Sequence, residues 1–212
     1  MLGEEEKATL SGLRFEKRRA EWLAGRIEMK RLLRAADRDT ADLNLSDIQI
    51  VREPGGAPCL ILKGEKQPPG NISISHSNGT VFCAYSNDGQ SLGVDLEHIE
   101  TRKREFIEDY FTLDEIQQID ACTPAQASLY TTLIWSAKEA VLKARLIGLK
   151  VDTRSITINI NHTGSTNDGW SLINFTSTTL EKGTLHLYWR REDEFILTLC
   201  CDHQPDSQFF RI

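Results

Sequence analysis

A chain of 212 residues, 40% hydrophobic and 26% charged, is long enough for one large domain or two small lobes around a well-buried core. Its net charge of −6 argues against extended duplex nucleic-acid binding, and no apolar run approaches the roughly 18 residues of a membrane span. The acidic start MLGEEEKATL has no apolar signal core, and the five cysteines show neither CxxC pairing nor zinc-ligand spacing, so a reduced, cytoplasmic protein is expected.

The charge is uneven. Between Arg14 and Arg38 nine Arg/Lys stand against four Asp/Glu, on a segment that reads as one long helix from about Leu13 to Ala36. Leu13, Ala20, Leu23, Ala24, Ile27, Leu32 and Leu33 form much of its apolar side. Arg19, Arg26 and Lys30 are its notable cations, and Arg26 and Lys30 are i,i+4 neighbours. They read first as solvated helix charges, while the basic segment as a whole could greet nucleic acid, a phosphate-rich small molecule or an acidic protein partner.

Strand-like pieces follow at Asp47–Arg52, Cys59–Leu62, Ile72–Ser75, Thr80–Ser86 and Ser91–Glu97, with turns at Pro54-Gly55-Gly56, Pro68-Pro69-Gly70 and Asn78-Gly79. Asn78-Gly79 is a strong hairpin signal and puts Ser75, His76 and Ser77 at the hairpin end. In Gly93-Val94-Asp95-Leu96-Glu97, strand periodicity turns Asp95 and Glu97 to one face and Val94 and Leu96 to the other. Two carboxylates sharing a face repel unless they are solvated or neutralised, and a hard divalent cation is a common neutraliser. A wet polar face and a metal site are both open here.

Beyond the charged Thr101-Arg102-Lys103-Arg104, a short helical piece runs through Tyr110. Thr112-Leu113-Asp114-Glu115 is a capping box, with Phe111 and Ile116 spaced for a hydrophobic staple, and its helix runs to about Ala121. Thr123-Pro124 opens another helix that continues to Ile147, with Gly148 placed to stop it. On this helix Tyr130, Leu133, Ile134, Ala137, Ala140, Val141 and Ala144 form a broad apolar face, while Trp135, Glu139 and Lys143 line up opposite. Glu139 and Lys143 taken alone are also an ordinary exposed i,i+4 ion pair. Strands are expected at Ser155–Asn161, Trp170–Phe175, Gly183–Arg191 and Glu194–Cys201, with a loose tail from His203. Adjacent Cys200 and Cys201 should point to opposite faces, as core and surface thiols.

The ordered set of segments resembles the 4'-phosphopantetheinyl transferases. Gly93-Val94-Asp95-Leu96-Glu97 with Trp135-Ser136-Ala137-Lys138-Glu139-Ala140-Val141-Leu142-Lys143-Ala144 is similar to that family's paired signature. Ile72-Ser73-Ile74-Ser75-His76-Ser77 resembles its ISHS segment, Gly56-Ala57-Pro58-Cys59-Leu60 its G-(K/R)-P-x-L segment, and Glu21-Trp22-Leu23-Ala24-Gly25-Arg26 its AGR helix. The double-length arrangement resembles the Sfp-type branch.

That resemblance implies an α+β fold of two similar lobes, each a long helix on a small mainly antiparallel sheet. The N-terminal lobe would span 1–91 and bind coenzyme A, and the C-terminal lobe 92–212 would carry the metal site and catalytic helix. A monomer with pseudo-two-fold symmetry is implied, as is transfer of the phosphopantetheine arm of coenzyme A to a serine of an apo acyl- or peptidyl-carrier protein, releasing 3',5'-ADP. By resemblance, Asp95, Glu97 and Glu139 hold Mg2+. Lys143 meets the phosphates. Ser75 and His76 bind a coenzyme A phosphate, and Arg26 contacts the 3'-phosphate. Glu139 is the foremost candidate to take the serine proton. Ala57 departs from the family's basic residue, a contact that Arg52 or Lys63 would have to supply. No strand is seen before the first helix. A catalytically silent coenzyme A-binding protein and a Mg2+ phosphohydrolase are the rivals. Arg102, Lys103 and Arg104 are candidates for docking an acidic carrier.

Overall fold

The computed structural model describes residues 1–68, 71–87, 91–165, 169–179, 185–202 and 210–211. The turn expected at Pro68-Pro69-Gly70 and the tail from His203 to residue 209 fall largely or wholly outside them. Two helices open the chain, α1 (Glu4–Gly12) and α2 (Glu16–Ala36). The expected long helix therefore starts three residues later, and α1 had no expectation at all. Its apolar content is low; what holds it is Glu6, whose side chain is 1% exposed and accepts from Gly3 N and Ile50 N. Arg19 accounts for one of the notable cations: it caps the C-terminus of α1 by donating to the carbonyls of Leu10 and Leu13.

The strands β1 (Ile48–Arg52), β2 (Pro58–Leu62) and β3 (Glu65–Lys66) form one antiparallel sheet. β4 (Ile72–Ser77) and β5 (Thr80–Tyr85) form the expected hairpin. Asn78 and Gly79 both take positive φ, 46° and 85°, as a two-residue hairpin turn matching strand twist requires. α2 lays Met29, Leu32 and Leu33 on Ile48, Ile50, Leu60, Ile72, Val81 and Cys83 to make the first core.

The second part begins with β6 (Leu92–His98), then α3 (Arg104–Tyr110), α4 (Leu113–Asp120) and α5 (Pro124–Ala144). The capping box of α4 forms, Thr112 Oγ1 accepting from Glu115 N and Glu115 Oε2 from Thr112 N. α5 ends three residues before the expected stop. Leu146 takes the left-handed conformation at φ 55°, and Gly148–Lys150 is a separate 3-10 turn. β7 (Ile156–Ser165), β8 (Ser171–Ser177), β9 (His186–Glu192) and β10 (Phe195–Cys201) complete an antiparallel sheet in the order β6-β10-β9-β8-β7. α5 covers one of its faces with Leu133, Ile134, Ala137, Ala140, Val141 and Ala144.

The other face is also covered. Val94, Leu96, Tyr188, Leu197, Leu199 and Cys201 meet Phe82 and Ala84 of β5 and Trp170 in a third core. Cys200 and Cys201 are therefore both buried, where one surface thiol was expected, because the sheet lies between two apolar layers. A last strand, β11 (Phe210–Arg211), pairs with Ala84 and Cys83 of β5, where a loose tail was expected. The architecture is α+β: two 21-residue helices, each on antiparallel strands. No helix among the described residues is long and apolar enough to cross a membrane.

Candidate active site

β6 brings its polar residues to the seam between the two sets of strands. Its alternation sends Val94 and Leu96 into the third core and turns Gly93, Asp95 and Glu97 toward α5, as the strand period predicts. Gly93 is what allows the close approach: a Cβ there would lie 2.0 Å from Ala140 O and 2.4 Å from Ala144 N. On the other side, alternate serines of β4 reach the strand. Ser73 Oγ accepts from Val94 N at 2.9 Å, Ser75 Oγ donates to Asp95 Oδ1 at 2.8 Å, and Ser77 Oγ accepts from His98 N at 3.2 Å. Two of these hydroxyls thus satisfy amides on the edge of β6, and the third holds a carboxylate.

Lys143 of α5 comes down on the same point. Its ammonium lies 2.7 Å from Asp95 Oδ1 and also donates to Ser75 Oγ (3.2 Å) and Val94 O (3.1 Å). Asp95 is buried, and its second oxygen, Oδ2, has no hydrogen-bond partner; nor has the buried Oε1 of Glu139. Burial raises the Glu139 carboxyl above its ordinary range, with Asp95 adding to the rise and Lys143 opposing it. Glu97 accepts from Trp135 Nε1 and Arg102 Nη2, each at 3.0 Å. Burial, reinforced by Asp95, raises its pKa to about 7.

The seven residues expected to form the site are therefore one neighbourhood, but not one contact set. Ser75 and His76, grouped as a phosphate contact by sequence, lie on opposite faces of β4. Ser75 points to Asp95, while half-exposed His76 stands 3.7 Å from Glu21 of α2, with burial holding its pKa down and Lys143 and Arg26 within electrostatic reach. Arg26 stacks on Trp22, 4.4 Å from the ring centre. Burial lowers its pKa to about 10, and its Nε is buried without a partner. Lys30, one turn along, is fully buried against Glu6, so it is neither a solvated charge nor a phosphate contact.

The partners of Glu97 and His76 escaped the sequence reading. Arg102 holds Glu97 and packs over Phe106, and Arg104 is tied to Glu108 and Asp120. Of the three cations proposed for docking, these two are thus engaged within the chain. Trp135 anchors Glu97 and sits in an aromatic group with Phe106 and Tyr110; its place in the Trp135/Glu139/Lys143 stripe was the available signal. Glu21 beside His76 had none.

By donor type, and by the two bare oxygens on Asp95 and Glu139, the carboxylates suit a hard divalent cation. Among the described residues no three acidic, histidine or cysteine side chains stand gathered as a ready ligand cluster; Lys143 engages Asp95 and Arg102 engages Glu97.

The 4'-phosphopantetheinyl transferase superfamily matches residues 91–200, half of the chain, and the chain belongs to that superfamily. Over 122 residues it is 28% identical to 4'-phosphopantetheinyl transferase Sfp of Bacillus subtilis, covering 58% of this chain and 52% of the relative. It is 30% identical over 130 residues to 4'-phosphopantetheinyl transferase AcpT of Salmonella typhimurium, covering 60% and 59%. The match thus spans little more than half the length of these curated relatives. Among solved structures, a holo-(acyl-carrier-protein) synthase from Bacillus anthracis in complex with CoA (3',5'-ADP) aligns at 19% identity and a TM-score of 0.43. That alignment covers 52% of this chain and 93% of the other.

Proposed function

We propose that this protein transfers the 4'-phosphopantetheine arm of coenzyme A to a serine hydroxyl of an apo carrier protein and releases 3',5'-ADP. The observation that carries this reading is the bare, buried Asp95 Oδ2 beside Glu139 and Lys143, in a member of this superfamily. Asp95, Glu97 and Glu139 would hold Mg2+, which when bound orients the pyrophosphate and offsets its charge. Ser75 and Lys143 fix the orientation of Asp95. Lys143 faces the seam and supplies positive charge toward the bridging oxygen that leaves with 3',5'-ADP. The raised pKa of Glu139 suits a carboxylate that takes the proton of the attacking serine hydroxyl. The P–O bond to 3',5'-ADP breaks as the bond to serine forms.

Arg26 and His76 line the α2 side and suit the nucleotide end of coenzyme A. Arg52 acts electrostatically on Arg26, so it is the better replacement for the cation absent at Ala57; Lys63 lies in an exposed turn beyond β2. The two halves would work as a monomeric pseudo-dimer divided near residue 91, in the cytoplasm.

The test is incubation with coenzyme A, Mg2+ and a panel of apo carrier proteins, read by intact mass. One phosphopantetheine added to a carrier is expected. Coenzyme A binding by calorimetry with no adduct on any carrier would favour a silent binding protein, and cleavage of coenzyme A without an acceptor would favour a hydrolase.

A further inference from the structure

We propose that a buried lysine–glutamate clamp, built twice in this chain, positions the functional faces of both long helices. Lys138 with Glu115 would set Trp135, Glu139 and Lys143 on α5, and Lys30 with Glu6 would set Trp22 and Arg26 on α2. The inference rests on the transferase reading for its kinetic part only.

The two clamps agree bond for bond. Lys30 is the fifteenth residue of α2 and Lys138 the fifteenth of α5, both helices being 21 residues long. Lys30 Nζ meets Glu6 Oε2 at 2.5 Å and the carbonyls of Met1 and Leu45 at 2.9 and 2.8 Å. Lys138 Nζ meets Glu115 Oε2 at 2.7 Å and the carbonyls of Tyr110 and Thr153 at 3.0 and 3.1 Å. Each glutamate is the third residue of a short helix and bonds that helix's own N-cap amide, Gly3 N at 3.0 Å and Thr112 N at 2.8 Å. Its other oxygen accepts from a strand amide, Ile50 N at 3.0 Å and Ile158 N at 2.7 Å. The carbonyls hold matching places too: Met1 and Tyr110 are two residues before the N-cap, and Leu45 and Thr153 are five before the strand amide. Residues 37–47 and 145–155, equal in number, join helix to strand. All four side chains are at most 1% exposed.

An ammonium has three donors, and each lysine places all three on acceptors from three different segments. Apolar packing resists sliding and rotation only weakly, being non-directional; this tripod fixes both. Glu139 directly follows Lys138, and Arg26 lies one turn before Lys30. Turning a helix by about 20° carries its outer face roughly 2 Å, and misplacement of 1 Å can cost about a hundredfold in rate. Burial lowers the pKa of both lysines while their glutamates oppose it.

Apolar replacement of both partners avoids the stranded charge that makes single changes most destabilising, while the amides and carbonyls of each clamp lose a bond that the melting temperature registers. Glu115→Met/Lys138→Met and Glu6→Met/Lys30→Met are therefore compared with wild type by melting temperature, transfer kinetics and calorimetric coenzyme A affinity. The first pair is expected to melt lower yet stay folded at the assay temperature, and, per folded molecule, to lose at least about tenfold in kcat, with KM for coenzyme A within about twofold. The second is expected to weaken coenzyme A binding about fivefold or more, with kcat within about twofold. Kinetics and affinity that stay at wild-type level in both pairs would overturn the proposal, as would losses that only track the unfolded fraction. If either pair does not fold, Glu115→Gln with Lys138→Arg and Glu6→Gln with Lys30→Arg decide by the same split, because they keep hydrogen bonding and change its geometry. Wild type that transfers to no carrier counts against the transferase reading alone, and the affinity measurement on the Glu6/Lys30 variants still decides the clamp.

Discussion

Asp95 is bonded through one oxygen only, to Ser75 and Lys143, while the other lies buried and bare. Asp95→Asn and Glu139→Gln should each abolish phosphopantetheine transfer while circular dichroism and melting stay near wild type; activity close to normal in either would discount the assigned roles. Glu97 adds a pH dependence. Its folded pKa of about 7 exceeds its ordinary 4.5, so ionisation costs more in the folded chain than in the unfolded one. The stability it contributes is complete below pH 4.5, falls as pH rises to about 7, and is flat above that. Glu139 shifts in the same direction. Relative to Glu97→Gln, the metal-free protein should therefore lose melting temperature across that window, a comparison in which the opposite contribution of His76 cancels, and Mg2+ should raise the melting temperature more near about pH 8 than near about pH 5. A Mg2+ effect independent of pH would remove these carboxylates from metal binding. The shared face of Asp95 and Glu97 was legible because a strand has period two, and the Trp135/Glu139/Lys143 stripe because a helix has 3.6. Lys30 and Lys138 were not, since lysine is rarely buried and nothing local marks Glu6, 24 positions away, as a partner.

At the scale of elements, the contact between β6 and α5 governs the site. With backbone atoms 2.0 and 2.4 Å from any added Cβ, Gly93→Ala must push the helix off the strand. Overpacking of this kind costs about 1–3 kcal/mol, occasionally more, and here it also parts Lys143 from Asp95. Both melting temperature and transfer should fall; unchanged transfer would mean that this distance does not matter. Thr112→Ala, by contrast, removes one cap bond and should cost about 1 kcal/mol, read from denaturant midpoints. Local chemistry made these features readable: the α4 capping box, Pro124 at the start of α5 and the Asn78-Gly79 hairpin all form. The end of α5 was misread because Gly148 offered the usual stop, whereas Leu146 accepts a positive φ. α1 has little hydrophobic pattern to read, because buried polar bonds hold it.

For the whole molecule, the third core is decisive. β5 sends Val81, Cys83 and Tyr85 to α2 and Phe82 and Ala84 to the five-stranded sheet, so one strand serves two cores and the halves share an interior. The serines of β4 continue that junction along β6. Sequence alternation announced faces but not what would cover them, which is why one of Cys200 and Cys201 was taken for a surface thiol. β11 joins the parts again, through Phe210 and Arg211 on β5. Ending the chain after Asp202 should speed hydrogen exchange at the β5 amides that face β11 while the β6–β10 pairing keeps its protection; unchanged exchange on that edge of β5 would show that the strand adds nothing. During synthesis the β4–β5 hairpin is complete long before Phe210 and Arg211 are made, so it waits for its border strand. A change that blocks pairing at Phe210 or Arg211 would therefore weigh on a hairpin made much earlier.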